Sequence, residues 1–308
     1  MKGQTAPAFE IVVVSYRSRD QIEELLAGLP DDLPVAVVDN ARNIDGLAEL
    51  AASRSNCRYV DTGGGAGFAR AANLGVRTSR WDYVVLVNPD SRPGMEALTA
   101  LVGDVVSDQL CASSSALNIG PDGRSELGTG GWEPNLRRVV VHAAALHKVF
   151  PRSGLFARPN VGEQIELDWA TGACMALHRQ RFLDLGGFDE RFYVYSEDVA
   201  FGRAVRLSAL HQKLRTDIAV SHASGGSGAP SLEMMRLRGA SIARYLRQNH
   251  SPLPARGMAS IVGTGYLVRG LAQAVTGRRQ RSREHLEYAK GAFTARAWVA
   301  GEEVTNRG

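Results

Sequence analysis

D-W-A-T-G-A-C-M-A-L-H-R-Q-R-F-L-D-L-G-G-F-D-E-R-F-Y-V-Y-S-E-D-V-A-F-G-R-A-V-R-L, from Asp168 to Leu207, is the stretch whose reading decides the fold. It predicts a short apolar strand over Ala173 to Leu177, a helix from near Arg179, a Gly-Gly break, an aromatic turn and a second helix opened by Glu197-Asp198. The small residues Thr171, Gly172 and Ala173 leave room for a ligand against the backbone. Phe188, Phe192, Tyr193 and Tyr195 precede the two carboxylates, and an apolar wall beside an acid strengthens a general base. Taken alone, Glu197 and Asp198 also suit the first turn of any helix after Ser196, where acids complement the macrodipole.

Outward from that stretch, the 308 residues are 44% hydrophobic and 22% charged, as in a folded globular chain. No apolar run reaches membrane-spanning length, and the first ten residues carry a single Lys and no apolar core, so neither a span nor a signal peptide is expected. Cys57, Cys111 and Cys174 are odd in number and lack metal-ligand spacing, which suits a reducing cytoplasm. The net charge of +4 is uneven: Ser231 to Gly308 holds 13 Lys/Arg against 5 Asp/Glu, leaving a mildly acidic body. A basic tail of this kind points to an anionic partner.

Phe9 to Val14 is a continuous apolar run, as in a central parallel strand, and a helical pattern follows over Asp20 to Leu29. Val35 to Val38 ends in Asp39-Asn40, so polar residues fall at the carboxyl ends of strands, where open α/β sheets bind ligands. By itself Asp39 is more often a turn residue. A third strand, Arg58 to Val60, leads into D-T-G-G-G-A-G-F-A-R-A-A-N-L-G. This is not a dinucleotide fingerprint, because Phe68 stands where the third glycine is needed and the motif follows the third strand. Tyr83 to Val87 runs into Asn88-Pro89-Asp90, which can hold a hard divalent cation under a diphosphate or simply make an Asx-Pro turn. Leu110 to Leu117 reads as a strand, Asn118 to Gly131 as a turn-rich loop, and residues 132 to 165 show no clear period. His142 and His147 in that segment read as surface groups, and a lone His222 after a strand is ordinarily structural.

W-x-T-G-A-C-x-x-x-x-R, G-G-F-D-E-R-F and Y-x-E-D-V, in this order, resemble the inverting family 2 glycosyltransferases, and most of all the bacterial rhamnosyltransferase-type enzymes of cell-surface polysaccharide assembly. The resemblance spans about residues 9 to 230. It implies the GT-A fold, an α/β nucleotide-binding domain with a mostly parallel central sheet over 1–230, followed by a basic helical region over 231–308. It also implies transfer of a sugar, with rhamnose from dTDP-rhamnose foremost and UDP-sugars open, to a glycan or lipid-linked saccharide. Asp198 then corresponds to the general base, with Glu197 secondary. Ser15, Tyr16, Asp39, Gly67, Arg70, Asn73, Asn88 and Asp90 fall on the donor side. Trp169, Thr171 and Gly172 fall where donor and acceptor meet. His222, in an H-x-x-G/S element, joins Asp90 in holding Mg²⁺ or Mn²⁺. Asn88 replaces the first acid of the family's Asp-x-Asp region, and Ala200-Phe201 replace the usual Asp-Leu after Glu197-Asp198-Val199.

From Ser231 onward the pattern is helical, with an apolar stretch over Met258 to Val275 and a basic cluster over Arg278 to Arg283. That combination suits either a helix lying on an anionic membrane face or a helical pair packed on the core or on a partner subunit. No nucleic-acid motif is present. Two other function classes remain: a catalytically silent nucleotide-sugar-binding protein, and a metal-dependent phosphohydrolase built on Asp90, Asp198 and His222. The second lacks the dense ligand cluster that two metals need.

Overall fold

The computed structural model describes residues 8–157, 162–223 and 231–304. The first half contains β1 (Phe9–Ser15), α1 (Arg19–Ala27), β2 (Val35–Asp39), α2 (Leu47–Ala52), β3 (Cys57–Asp61), α3 (Phe68–Thr78), β4 (Tyr83–Val87), β5 (Ser91–Arg92), α4 (Met95–Ser107) and β6 (Cys111–Ile119). There follow β7 (Gly130–Gly131), α5 (Leu136–Ala143), β8 (Gln164–Leu167), β9 (Trp169–Ala170), β10 (Cys174–His178), α6 (Arg179–Asp184), α7 (Glu197–Leu207) and β11 (His211–His222). The chain closes with α8 (Leu232–Asn249), α9 (Pro252–Val275), α10 (Arg279–Thr294), β12 (Trp298–Val299) and β13 (Glu302–Glu303). The expectations on the N-terminal residues 1–7 and on Ser224 to Ser227 of the His222 element lie outside the described residues.

The main sheet runs β3-β2-β1-β4-β10-β6-β11-β5, with β8 also on β11. β3, β2, β1 and β4 are parallel, β10 is antiparallel to both β4 and β6, and β6 is parallel to β11. The sheet is therefore mostly parallel, as expected. Side chains alternate across it with the period of two that a strand imposes. Ile11, Val13, Val35, Val37, Val85 and Val87 face α1, α2 and α4. Val12, Ala36, Val38, Val84 and Leu86 face α3, with Phe182, Phe188 and Phe201 in the same core. Burial on both faces explains why these strands read as continuous apolar runs.

At the carboxyl edge Ser15 pairs with Asp39, and Asp39 with Asp61, so the parallel strands deliver their polar ends to one rim. A third core joins Val139, Trp169, Tyr245, Met258 and Val262. Glu133 fastens it to the sheet domain: it is ion-paired with Arg203 and Arg206 of α7 and accepts a hydrogen bond from the buried Tyr245 hydroxyl at 2.9 Å.

The segment from 132 to 165 differs from its reading. It contains α5, whose Asn135 side chain caps the Arg138 N–H at 3.0 Å. The run of three valines hid this helix, because its propensity is poor and its packing on α9 is tertiary. His142, expected at the surface, is buried at 7% exposure and stacks on His147 with centroids 4.8 Å apart. Among the described residues no helix is long and apolar enough to cross a membrane.

α8 and α10 pack at backbone contact, because a Cβ at Gly239 would run into the Tyr288 carbonyl and one at Gly291 into the Arg236 carbonyl. Gly291→Ala is therefore expected to destabilise the fold by about 1–3 kcal/mol, the usual cost of overpacking. A lower calorimetric melting temperature checks this; an unchanged one means the helices do not pack this closely.

Candidate active site

An open cleft of about 810 Å³ lies at the carboxyl edge of the sheet, lined among others by Tyr16, Asn40, Gly67, Asn88, Asp90 and Tyr195. Tyr16 projects from the end of β1 at 49% exposure. Tyr193 to Tyr195 form the opposite wall. The Gly67 turn meets that wall directly. The Phe68 N–H donates to the Tyr193 carbonyl at 2.7 Å, and at φ +85° Gly67 has no room for a Cβ beside the same oxygen. On the other side the Ser241 hydroxyl of α8 donates to the Val194 carbonyl at 3.0 Å. The aromatic turn is thus held between α3 and the C-terminal helices.

Asp90 and His222 come together at the end of β4. The imidazole Nε2 lies 3.2 Å from Asp90 Oδ1 and 3.2 Å from the Asn88 amide nitrogen, and Nδ1 lies 2.7 Å from Glu126 Oε2. All three ionisable side chains are largely buried, at 12%, 12% and 17% exposure for His222, Asp90 and Glu126. Burial pulls the imidazole down, but Asp90 and Glu126 outweigh it and push it up to about 9. Glu126 holds a proton on Nδ1, which leaves Nε2 to face either Asp90 as a cation or Asn88 as a lone pair.

This donor set fits a hard divalent ion. Adjacent ligands of an octahedral Mg²⁺ site stand about 3 Å apart, given bonds of about 2.1 Å, and the Asp90–His222 separation is of that size. A carboxylate behind the ligating histidine is the usual outer partner at metal sites. Among the described residues no three His, Cys, Asp or Glu side chains converge to hold an ion unaided. Substrate oxygens would have to complete the shell.

The carboxylates open α7 after two consecutive non-glycine residues in the left-handed region, Tyr195 at φ 69° and Ser196 at φ 68°. Such conformations persist only where surrounding contacts enforce them. Glu197 is buried at 5% exposure with Oε2 unpartnered, and burial, then the charge of Asp198, raises its carboxyl well above the usual range. Asp198 is less enclosed, and its Oδ1 accepts from the Val199 N–H at 2.8 Å. Burial raises it too, while that hydrogen bond and the charge of Arg238 pull it back. Arg238, on α8, lies 4.5 Å over the Tyr195 ring.

The structure separates the residues expected to form the site. Tyr16, Gly67, Asn88 and Asp90 line the cleft. Ser15 lies beneath it, hydrogen-bonded to Ser18 at 2.8 Å. Asp39 is fully buried, accepting from the Ala41 and Asn43 N–H groups and the Tyr59 hydroxyl, and its neighbour Asn40 reaches the cleft. Arg70 turns away to Glu190 at 3.2 Å, and Asn73 clasps both backbone groups of Phe188. Trp169 is buried, its indole N–H donating to the Trp132 carbonyl at 3.2 Å. Thr171 donates its N–H to Thr129, and Gly172 lies behind Phe68. Glu126 and Arg238 were missed. Glu126 sits in a turn-rich loop, and only the return of that loop along β6, with the Glu126 N–H on the Asn118 carbonyl at 2.9 Å, brings it to His222.

The mostly parallel sheet, with polar strand ends gathered at one rim and helices at its C-terminus, is the GT-A glycosyltransferase fold. The glycosyl transferase family 2 pattern matches residues 10–126. The N-acetylglucosaminyl-diphospho-decaprenol L-rhamnosyltransferase of Mycobacterium tuberculosis is 30% identical over 213 residues, covering 62% of this chain and 68% of that protein. The low-salt glycan biosynthesis hexosyltransferase Agl10 of Haloferax volcanii is 25% identical over 196 residues, covering 62% and 59%. Two solved structures share the fold. The Pyrobaculum calidifontis mannosyltransferase PcManGT with GDP-Man and Mn²⁺ matches at TM-score 0.58 and 16% identity over 94% of this chain and 86% of that one. GalNAc-T7 with UDP, GalNAc and Mn²⁺ matches at 0.55 and 11%, over 93% of this chain and 56% of that one. The chain belongs to glycosyl transferase family 2 and is a glycosyltransferase.

A Cβ at position 67 would strain the backbone and push the Tyr193 carbonyl away. Gly67→Ala is expected to cost about 1–3 kcal/mol of stability and to cut glycosyl transfer at least tenfold. Transfer at the wild-type rate would mean that this contact does not shape the site.

Proposed function

We propose that this chain transfers a hexosyl group, L-rhamnose from dTDP-rhamnose, to a hydroxyl of a lipid-linked saccharide, with inversion, in cell-surface glycan assembly. The observation that carries the reading is the cleft itself, with Asp90, the partner of His222, in its lining and Asp198 in the first turn of α7 directly after its aromatic wall. The sugar and the acceptor class rest on the name of the Mycobacterium tuberculosis relative. A UDP-sugar is the second donor class.

In this reading the nucleoside lies against Tyr16 and Asn40, and the diphosphate lies near Asp90. A divalent ion held by Asp90, His222 and the diphosphate would neutralise the leaving group. Asp198 takes the acceptor proton as the hydroxyl oxygen bonds to the anomeric carbon, and the electron pair of the breaking C–O bond leaves with the nucleoside diphosphate. One base suffices for inversion, because attack and departure are in line. Glu197, whose protonated form burial favours, is the secondary carboxylate beside Asp198. Glu126 orients the His222 ring.

Asp198→Asn is expected to lower kcat by about 10²–10⁴-fold while leaving dTDP binding intact by calorimetry. Because burial raises the Asp198 carboxyl, the base is protonated and silent at low pH. The rate kcat/KM should therefore climb through a value above the ordinary aspartate pKa of about 3.9 and then level off. A rate that ignores Asp198→Asn removes the assignment. Glu126→Ala should weaken apparent Mn²⁺ affinity by about 10–100-fold, read by titrating Mn²⁺ against turnover; an unchanged titration removes Glu126 from the site.

A further inference from the structure

The hairpin of α9 and α10 carries a surface that the transferase reaction does not use. Its helices run side by side, with Gly263 against Phe293 and Gly270 against Leu286. Beyond Gly270 the hairpin leaves the body of the protein: from Leu271 to Arg281 every residue except Gln273 is exposed. Val268, Leu271 and Val275 recur at helical spacing on the side of α9 turned away from its buried Val262 and Gly263, at 58%, 55% and 89% exposure. The connection turns at Gly277 and enters Arg278-Arg279-Gln280-Arg281-Ser282-Arg283, whose four arginines are all exposed.

An apolar ridge continuous with a cationic tip has two demands: hydrocarbon for the valines and leucine, and anions for the arginines. A soluble acidic ligand meets only the second. The tip has no aromatic side chain from Leu267 to Glu284 on which a nucleic-acid base could stack. We infer that the α9–α10 hairpin tip seats on the surface of an anionic lipid bilayer, the Val268–Leu271–Val275 ridge entering the headgroup boundary and Arg279, Arg281 and Arg283 engaging lipid phosphates. Contact of this kind is peripheral and strengthens with anionic lipid content. It fits the charge split of the chain, since the acidic body would be held away from the same surface. The inference needs a bilayer, not a particular sugar donor or acceptor, so it stands or falls apart from the reaction proposed above.

Flotation of the full chain with phosphatidylcholine vesicles, with and without phosphatidylglycerol, tests it. The wild-type chain is expected to float with the phosphatidylglycerol vesicles alone and to be released by high salt. The triple variants R279Q/R281Q/R283Q and V268S/L271S/V275S should each bind at least about tenfold more weakly, with unchanged melting temperatures to show that they are folded. Three results would overturn the inference: no flotation, equal flotation with neutral vesicles, or variants that bind like the wild type. A dimer by light scattering that the V268S/L271S/V275S variant splits, with vesicle binding unaffected, would assign the ridge to a second copy instead.

Discussion

The Phe68 N–H on the Tyr193 carbonyl, made possible by a glycine at position 67, joins two parts of the chain that are far apart in sequence. One part is the glycine turn that starts α3 and borders the cleft. The other is the aromatic turn that ends in Glu197 and Asp198. The aromatic turn is registered against α3 through this contact. It fixes where the wall of the cleft stands and so where α7 begins, and the left-handed conformations of Tyr195 and Ser196 record what that placement demands of the backbone.

The C-terminal helices support the same turn from behind, through Ser241 on the Val194 carbonyl and Arg238 over Tyr195. Their contact with the sheet domain includes Glu133, Arg203 and Tyr245, a partly buried polar knot. The helices are thus part of the architecture that shapes the cleft, and their free hairpin tip is the portion left over for another task.

Much of this was legible in the residues. Buried parallel strands announce themselves as unbroken apolar runs, and Asn88-Pro89-Asp90 after Tyr83–Val87 and Glu197-Asp198 after the aromatic turn were visible because each lies within one local motif. What stayed hidden depends on which way a side chain turns or on contacts across the fold. Asp39 ends β2 and Asp90 follows β4, yet Asp39 folds back onto the N–H groups of its own turn and Asn40 reaches the cleft. Arg70 and Asn73 sit on the motif helix but face the Phe188–Glu190 loop. No local pattern marks Glu126 as the partner of His222, since they lie 96 residues apart in the chain.

The proposed reaction places the sugar nucleotide in the cleft between the Gly67 turn and the aromatic wall. A crystal structure with dTDP and Mn²⁺, the ion located by its anomalous signal, tests it most directly. The nucleoside is expected beside Tyr16 and Asn40, with Mn²⁺ between Asp90 Oδ1, His222 Nε2 and the diphosphate. Nucleotide in the separate cavity lined by Asn73, Arg77 and Arg203, or Mn²⁺ away from Asp90 and His222, would contradict it.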